Sequence, residues 1–98
     1  MRFARRTDDN HSHIRDGLRA AGYPVLDLSG CGNGIPDLSV LIAPGVSVFL
    51  ELKDGAKAKS AQKLTEREEA FMVHWQQHTR VVNSLEAALQ AISEITGE

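Results

Sequence analysis

Apolar residues in the first part of the chain recur at helical spacing. Within residues 8–21, Ile14, Leu18 and Ala21 are separated by four and then three positions, which places them on one face of a helix. The stretch begins with two aspartates, and Gly22 follows it directly, as expected at the two ends of a helix. The pattern therefore predicts a first amphipathic helix over residues 8–21.

The pattern then changes to extended segments. Residues 23–28 alternate enough to predict a short strand, and residues 29–34 form a loop rich in glycine. Residues 38–52 are almost entirely β-branched or aliphatic, interrupted only by Ala43-Pro44-Gly45. Two antiparallel strands joined by a tight turn are the natural interpretation of this stretch.

The second half of the chain returns to helical spacing. Thr65 followed by Glu68 three residues later is typical of a capping box, and four apolar residues share the next helical stripe: Leu64, Phe71, Met72 and Trp75. Residues 80–82 predict a short strand. Asn83 is then expected to cap a last helix whose apolar face is continuous from Leu85 to Ile95.

The predicted order is helix, three strands, helix, strand, helix. This order favours a single α/β domain over residues 1–98, with a mixed β-sheet flanked by helices. The composition agrees, since 42% hydrophobic and 24% charged residues suit a globular domain. No apolar run is long enough for a membrane span or a signal peptide, and Cys31 is the single cysteine. We therefore expect an intracellular protein without a membrane partner or an internal disulfide.

Charge is distributed unevenly along the chain. Nine of the eleven Lys and Arg residues lie in residues 1–63, whereas residues 64–98 hold six Glu against two Arg. Basic residues collected on one face would suit a polyanion, but the charge by itself favours an ordinary solvated surface.

Three charged residues interrupt or end the apolar runs of the predicted hairpin: Asp37, Glu51 and Lys53. Side chains two positions apart in a strand lie on one face, so Glu51 and Lys53 must project together with Phe49. Val48 and Leu50 then face the opposite way, toward the helices.

The turn decides whether Asp37 joins the other two. A two-residue Pro44-Gly45 turn would direct Asp37 away from Glu51, because directly opposed residues share a face. A three-residue loop with a bulge at Gly45 instead pairs Ile42 with Val46, Val40 with Val48 and Leu38 with Leu50, and it sets Asp37 opposite Glu51. We predict the three-residue loop, because it gathers both carboxylates and also packs the core.

Two adjacent carboxylates repel each other unless a proton or a cation lies between them. Mg²⁺ or Mn²⁺ is the expected occupant, completed by a backbone carbonyl, water and a substrate phosphate. Lys53 would then orient an attacking water or stabilise charge that develops on the phosphate. A structural ion pair at the sheet end is the alternative.

The same residues resemble a known nuclease pattern. Gly34-Ile35-Pro36-Asp37-Leu38, with thirteen residues between Asp37 and Glu51, followed by Glu51-Leu52-Lys53, is similar to the PD-(D/E)XK signature, and the form of the first segment resembles the VRR-NUC family. The resemblance implies a restriction-endonuclease-like core. It also implies that Asp37, Glu51 and the carbonyl of Leu52 bind metal and that Lys53 is catalytic. Stand-alone relatives are homodimers that cut branched DNA such as Holliday junctions or flaps.

The sequence departs from the family in two places. Relatives carry a glutamate on the first helix, where this chain offers Asp9, Asn10 or His11. Relatives also tend to have a glutamine on the helix after the lysine strand, and Glu68 or Gln62 takes that place here. These five residues are therefore auxiliary candidates for the site.

We thus expect a metal-dependent endodeoxyribonuclease that hydrolyses phosphodiester bonds. The candidates for contacting DNA phosphates are basic residues: Lys57, Lys59, Lys63, Arg5 and Arg6. A catalytically inactive nucleic-acid-binding module on the same fold is the first alternative. A structural subunit without a role on DNA is the second.

Overall fold

The computed structural model describes residues 9–53 and 63–97. Within them the chain forms the predicted order of elements: α1 (Asp9–Ala20), β1 (Val25–Asp27), β2 (Leu38–Ala43), β3 (Val46–Leu52), α2 (Glu66–Trp75), a short 3₁₀ turn (Gln76–His78), β4 (Thr79–Val82) and α3 (Leu85–Thr96). The prediction of a mixed α/β fold with helices on a sheet is therefore confirmed.

The four strands form one sheet in the order β1-β2-β3-β4. Strand β2 runs antiparallel to both β1 and β3, and β4 runs parallel to β3. The connection from β3 to β4 passes through α2, as a parallel pair requires a crossover. As a result, the C-terminal ends of β3 and β4 meet at the same edge of the sheet.

The hairpin of β2 and β3 corrects one expectation. Leu38 pairs with Leu50 and Val40 with Val48, as predicted, but Ala43 pairs with Val46. The turn therefore has two residues, and the extra residue is Ile42, which bulges out of β2. The predicted pairing of Ile42 with Val46 is wrong.

The physical reason lies in the turn sequence. Pro44 and Gly45 are the preferred central residues of a type II turn, and Gly45 has the positive φ of 75° that this turn needs. Such a turn splays the strands, and a bulge restores their right-handed twist. A bulge at Ile42 shifts the register by one residue, as the expected bulge at Gly45 would have done. The core pairs are therefore those expected from the sequence.

The hydrophobic core lies between one face of the sheet and the helices α1 and α3. Its fully buried members from those elements include Ile14, Leu18, Val40, Leu50 and Ile92. The opposite face is covered by α2, where Phe49 packs edge-on against Phe71 and Trp75 with ring centroids 5.6 and 5.8 Å away. Trp75 remains 48% exposed, so this second layer is a thin cover and not a second core.

The helix caps explain where α2 and α3 begin. Thr65 and Glu68 form the predicted capping box at the start of α2. The last helix is capped by Ser84, whose side chain accepts from the Ala87 amide at 3.0 Å, and not by Asn83 as predicted. Among the described helices, none is long and apolar enough to cross a bilayer.

Candidate functional site

Asp37 and Glu51 lie at the same end of the sheet, close enough for the charge of Asp37 to act on Glu51. Asp37 immediately precedes β2, and its Oδ2 accepts a hydrogen bond of 2.8 Å from the backbone amide of Leu52. Glu51 directly precedes Leu52 in β3, and the negative charge of Asp37 helps to raise the pKa of Glu51. The corrected hairpin register therefore still brings both carboxylates to the end of β3.

Glu51 is a carboxyl group in unfavourable surroundings for a negative charge. The residue is only 6% exposed. Its burial, a hydrogen bond shared with Glu68 and the charges of Asp37 and Glu68 together raise the pKa of Glu51 to about 9, although Lys53 acts in the opposite direction. Without a cation, Glu51 therefore carries a proton at neutral pH.

Lys53 lies between two carboxyl groups. Its Nζ is 3.0 Å from Glu68 Oε1 and 3.5 Å from Glu51 Oε2. Burial favours a lower pKa for Lys53. The hydrogen bond that Lys53 donates to Glu68 and the charges of both glutamates outweigh burial, so the pKa of Lys53 is above its usual value. Lys53 is thus a cation at neutral pH, which suits charge stabilisation better than proton abstraction.

Glu68 takes part in the helix cap and in the site at the same time. Its Oε1 accepts from the Thr65 amide at 2.9 Å and from Lys53 Nζ, while its own amide donates to Thr65 Oγ1 at 3.2 Å. Burial favours a raised pKa, but the bonds from Glu51, Thr65 and Lys53 hold the pKa of Glu68 below its usual value. Glu68 is therefore ionised and pairs with Lys53.

The candidates from the first helix go to different places. Asn10 Nδ2 donates to the carbonyl groups of Lys53 and Asn83, at 3.1 and 3.2 Å, so it ties the start of α1 to the ends of β3 and β4. His11 is buried and bound to Asp27, with Nε2 at 3.2 Å from Oδ2. Asn10 is thus the candidate at the strand ends.

Several other candidates fall outside the described residues. They are Arg5, Arg6, Lys57, Lys59 and Gln62, and the same holds for the side chain of Asp9. Lys63 is described and lies exposed just before α2.

A second carboxyl cluster, around Asp27, lies on the other face of the same sheet end and was not among the predicted sites. Asp27 pairs with Leu38 in the sheet and so faces the core side. Its Oδ1 accepts from the amide and hydroxyl of Ser29 at 3.0 and 2.6 Å, and its Oδ2 lies 3.1 Å from Arg15 Nη1. Two local signals were available: the spacing of Asp27 and Ser29, typical of an Asx turn, and the i, i+4 spacing of His11 and Arg15 on one helix.

A groove opens beside the Glu68 end of the site. It has a volume of about 670 Å³ and is lined by Asn33, Gly34, Thr65, Glu66, Arg67 and Ala70. A Cβ atom at Gly34 would overlap the carbonyl oxygen of Arg67, so only glycine lets the loop approach α2 this closely. The groove therefore depends on the loop that leads into Asp37.

Comparison of the chain with protein-family models, curated proteins and solved structures finds no match. Among residues 9–53 and 63–97, no three side chains of His, Cys, Asp or Glu are grouped so as to hold a metal ion by themselves. A cation at this sheet end would thus take two carboxylates, and its remaining ligands would be backbone and water oxygens.

Proposed function

We propose that this protein is a divalent-metal-dependent endodeoxyribonuclease with a restriction-endonuclease-like core of the VRR-NUC type. The observation that carries the proposal is the convergence of Asp37 and Glu51 at the end of β3 with Lys53 in contact. The order of elements and the mixed sheet support it, because they bring Asp37 to the sheet end at which Glu51 and Lys53 lie side by side. Structure-selective cutting of branched DNA, such as Holliday junctions or flaps, belongs to the same proposal.

The residues at the sheet end fit a hard divalent cation. Glu51 retains a proton because Asp37 and Glu68 place negative charge around a buried carboxyl group. A cation relieves the same repulsion, and oxygen donors are the ligands that Mg²⁺ and Mn²⁺ prefer. Asp37, Glu51 and the carbonyl of Leu52 would hold the ion, and when bound it would supply an activated water and Lewis-acid stabilisation of the phosphate.

The chain's own residues provide the remaining chemistry. Lys53, kept cationic beside Glu51 and Glu68, stabilises negative charge that develops on the phosphate oxygens during hydrolysis. Asp37 is held in place by the Leu52 amide, so its carboxylate is oriented before substrate arrives. The burial of these groups lowers the local dielectric and strengthens each of these electrostatic interactions.

DNA binding is assigned to basic residues of the first two thirds of the chain. Lys63 lies exposed before α2, and the other proposed contacts are Lys57, Lys59, Arg5 and Arg6. Such contacts neutralise backbone phosphates, so affinity should fall steeply with salt. A homodimer would present two sites to two strands, which suits a branched substrate.

One observation favours the alternative of an inactive nucleic-acid-binding module. The first-helix residue at the strand ends is Asn10, which has no charge and donates to two carbonyl groups. Lys53 and the proton on Glu51 already neutralise part of the carboxylate cluster. The site would then be stable without a cation, and the module would bind DNA without cutting it.

Cleavage assays separate these functions. The protein is incubated with duplex, single-stranded, flapped and four-way-junction DNA in Mg²⁺, Mn²⁺ or EDTA. We expect metal-dependent cutting that EDTA abolishes and that Lys53→Ala lowers by about 100-fold or more, the usual effect of removing a charge-stabilising group. Glu69→Gln is the control, because it removes an exposed charge outside the carboxylate cluster and outside the proposed DNA contacts.

The other outcomes assign the alternatives. Salt-sensitive binding without cutting in any metal supports the binding module. Neither binding nor cutting supports a structural subunit. Equal cutting by the wild type and by Lys53→Ala would contradict the role given to Lys53.

A further inference from the structure

The lysine of the site is held mainly by a residue of α2. Lys53 Nζ is 3.0 Å from Glu68 Oε1, closer than the 3.5 Å to Glu51 Oε2. The side chains of Lys53 and Glu68 are only 14% and 16% exposed, so water competes little for this contact. Because a lysine stem is flexible, a fixed partner is needed to keep the ammonium group in one place.

Glu68 is itself fixed by the first turn of its helix. The Thr65 amide donates to the same oxygen, Oε1, that accepts from Lys53, and the hydroxyl of Thr65 accepts from the Glu68 amide. A carboxylate in the first turn is also stabilised by the partial positive charge of the helix end. The helix cap thus fixes the Glu68 carboxylate, which in turn fixes the Lys53 ammonium group.

The donor count of Lys53 leaves room for substrate. An ammonium group has three N–H donors, and two of them are directed at Glu68 and Glu51. Within residues 9–53 and 63–97 no other acceptor contacts Lys53 Nζ, so the third donor can take an oxygen of the scissile phosphate. A helix cap alone would not need this arrangement, since Thr65 and Glu68 complete the capping box without Lys53.

We propose that Glu68 is a positioning residue, which orients Lys53 toward the scissile phosphate through a carboxylate anchored by the Thr65 helix cap. This inference rests on the proposed nuclease function. Glu68 does not touch the reacting atoms in this arrangement, and its effect is exerted through Lys53.

Kinetics of four variants test the inference. Glu68→Ala removes the carboxylate, and we expect kcat to fall by about 100-fold, the order of loss that follows small misplacement of a catalytic group. KM should change by less than about threefold, because Glu68 does not bind DNA. Glu68→Gln keeps an acceptor oxygen for Lys53 and should recover part of kcat. Glu69→Gln, which neutralises the exposed neighbouring glutamate, should behave as wild type.

Thr65→Ala separates positioning from helix capping. It removes the capping hydroxyl but keeps the backbone amide that holds Glu68 Oε1. Both variants should lower the unfolding temperature, Glu68→Ala by more because it also removes the closest partner of the largely buried Lys53, while only Glu68→Ala loses kcat. ¹⁵N NMR of the Lys53 ammonium group gives a second readout, because its signal persists only while hydrogen bonds slow proton exchange. We expect this signal in wild type and Thr65→Ala, and its loss in Glu68→Ala.

The outcomes distinguish this inference from the function on which it rests. If wild type cuts DNA and Glu68→Ala keeps its kcat, or loses no more than Thr65→Ala, the inference is overturned and the nuclease function stands. If wild type cuts no DNA, the proposed function fails, and the role of Glu68 in catalysis fails with it.

Discussion

Two carboxyl clusters occupy opposite faces of the same sheet end, and they differ in what surrounds the acid. Asp27, on the α1 face, accepts from Ser29, Arg15 and His11. Burial alone would raise the pKa of Asp27, but these bonds outweigh it and hold the pKa well below its usual range. Glu51, on the α2 face, has two other acids beside it, and its pKa is raised.

The comparison shows how a structural carboxylate differs from a candidate functional one. Donors around Asp27 satisfy its charge, so that cluster is complete within the protein and joins β1 to α1. The negative surroundings of Glu51 are relieved only by Lys53 and by a proton or a cation. The first cluster therefore contributes stability, whereas the second keeps a buried acid among like charges, the kind of environment that perturbs a pKa at functional sites.

The largest expected effect concerns the loop that links the two clusters. Gly34 and Gly32 both have positive φ, at 81° and 70°. Gly34→Ala adds a clash with the Arg67 carbonyl to the backbone strain and should lower the free energy of unfolding by about 3–5 kcal/mol. Gly32→Ala meets no atom within 4 Å and should cost only about 1 kcal/mol. Urea unfolding measures both free energies of unfolding. Equal losses in the two variants would show that the loop at Gly34 does not pack tightly against α2.

The next effect compares the acids directly. Asp27→Asn keeps the shape but removes the charge that Arg15 and Ser29 satisfy, and it should lower the free energy of unfolding by about 1–2 kcal/mol, allowing for partial exposure. At pH 4 in EDTA, Glu51→Gln should change it by less than about 0.5 kcal/mol, because the carboxyl group is then neutral in the folded state and largely neutral in the unfolded state. Asp16→Asn, at an exposed partner of Arg15, is the control and should change little. A larger loss in Glu51→Gln than in Asp27→Asn would reverse the interpretation of the two clusters.

The two clusters should also differ in the pH dependence of stability, through a change that is small over one pH unit and accumulates over several. The raised pKa of Glu51 means that its contribution to stability is present below its unfolded pKa, about 4.3, and is lost as pH rises through about 9. Asp27 has a lowered pKa, so its contribution is present above about 4 and is lost as pH falls. Between pH 5 and 9 in EDTA, wild type should lose stability relative to Glu51→Gln, by at most about 1.4 kcal/mol per pH unit. Parallel stability curves for the two proteins would contradict the raised pKa.

Much of the fold could be predicted from local pattern. The spacing of Ile14 and Leu18 predicted α1, and the aliphatic run around Val40 and Val48 predicted the hairpin with its core pairs. The position of the bulge could not be predicted, because bulges at Ile42 and at Gly45 give the same register below the turn. The cap of α3 moved from Asn83 to Ser84 for a similar reason, since adjacent residues both have capping side chains.

Some features of the site could likewise be predicted from the sequence, and others depended on the tertiary structure. Alternation along β3 was enough to place Glu51 and Lys53 on one face, and the hairpin register then brought Asp37 to the same sheet end. Three further features depended on packing between residues distant in sequence. They are the helix that covers that face, the burial of Glu51 and the contact of Glu68 with Lys53. Strand and helix periods repeat over a few residues and fix which face a side chain occupies. The partner on that face is chosen only when the helices dock, and this docking sets the charge environment of each acid.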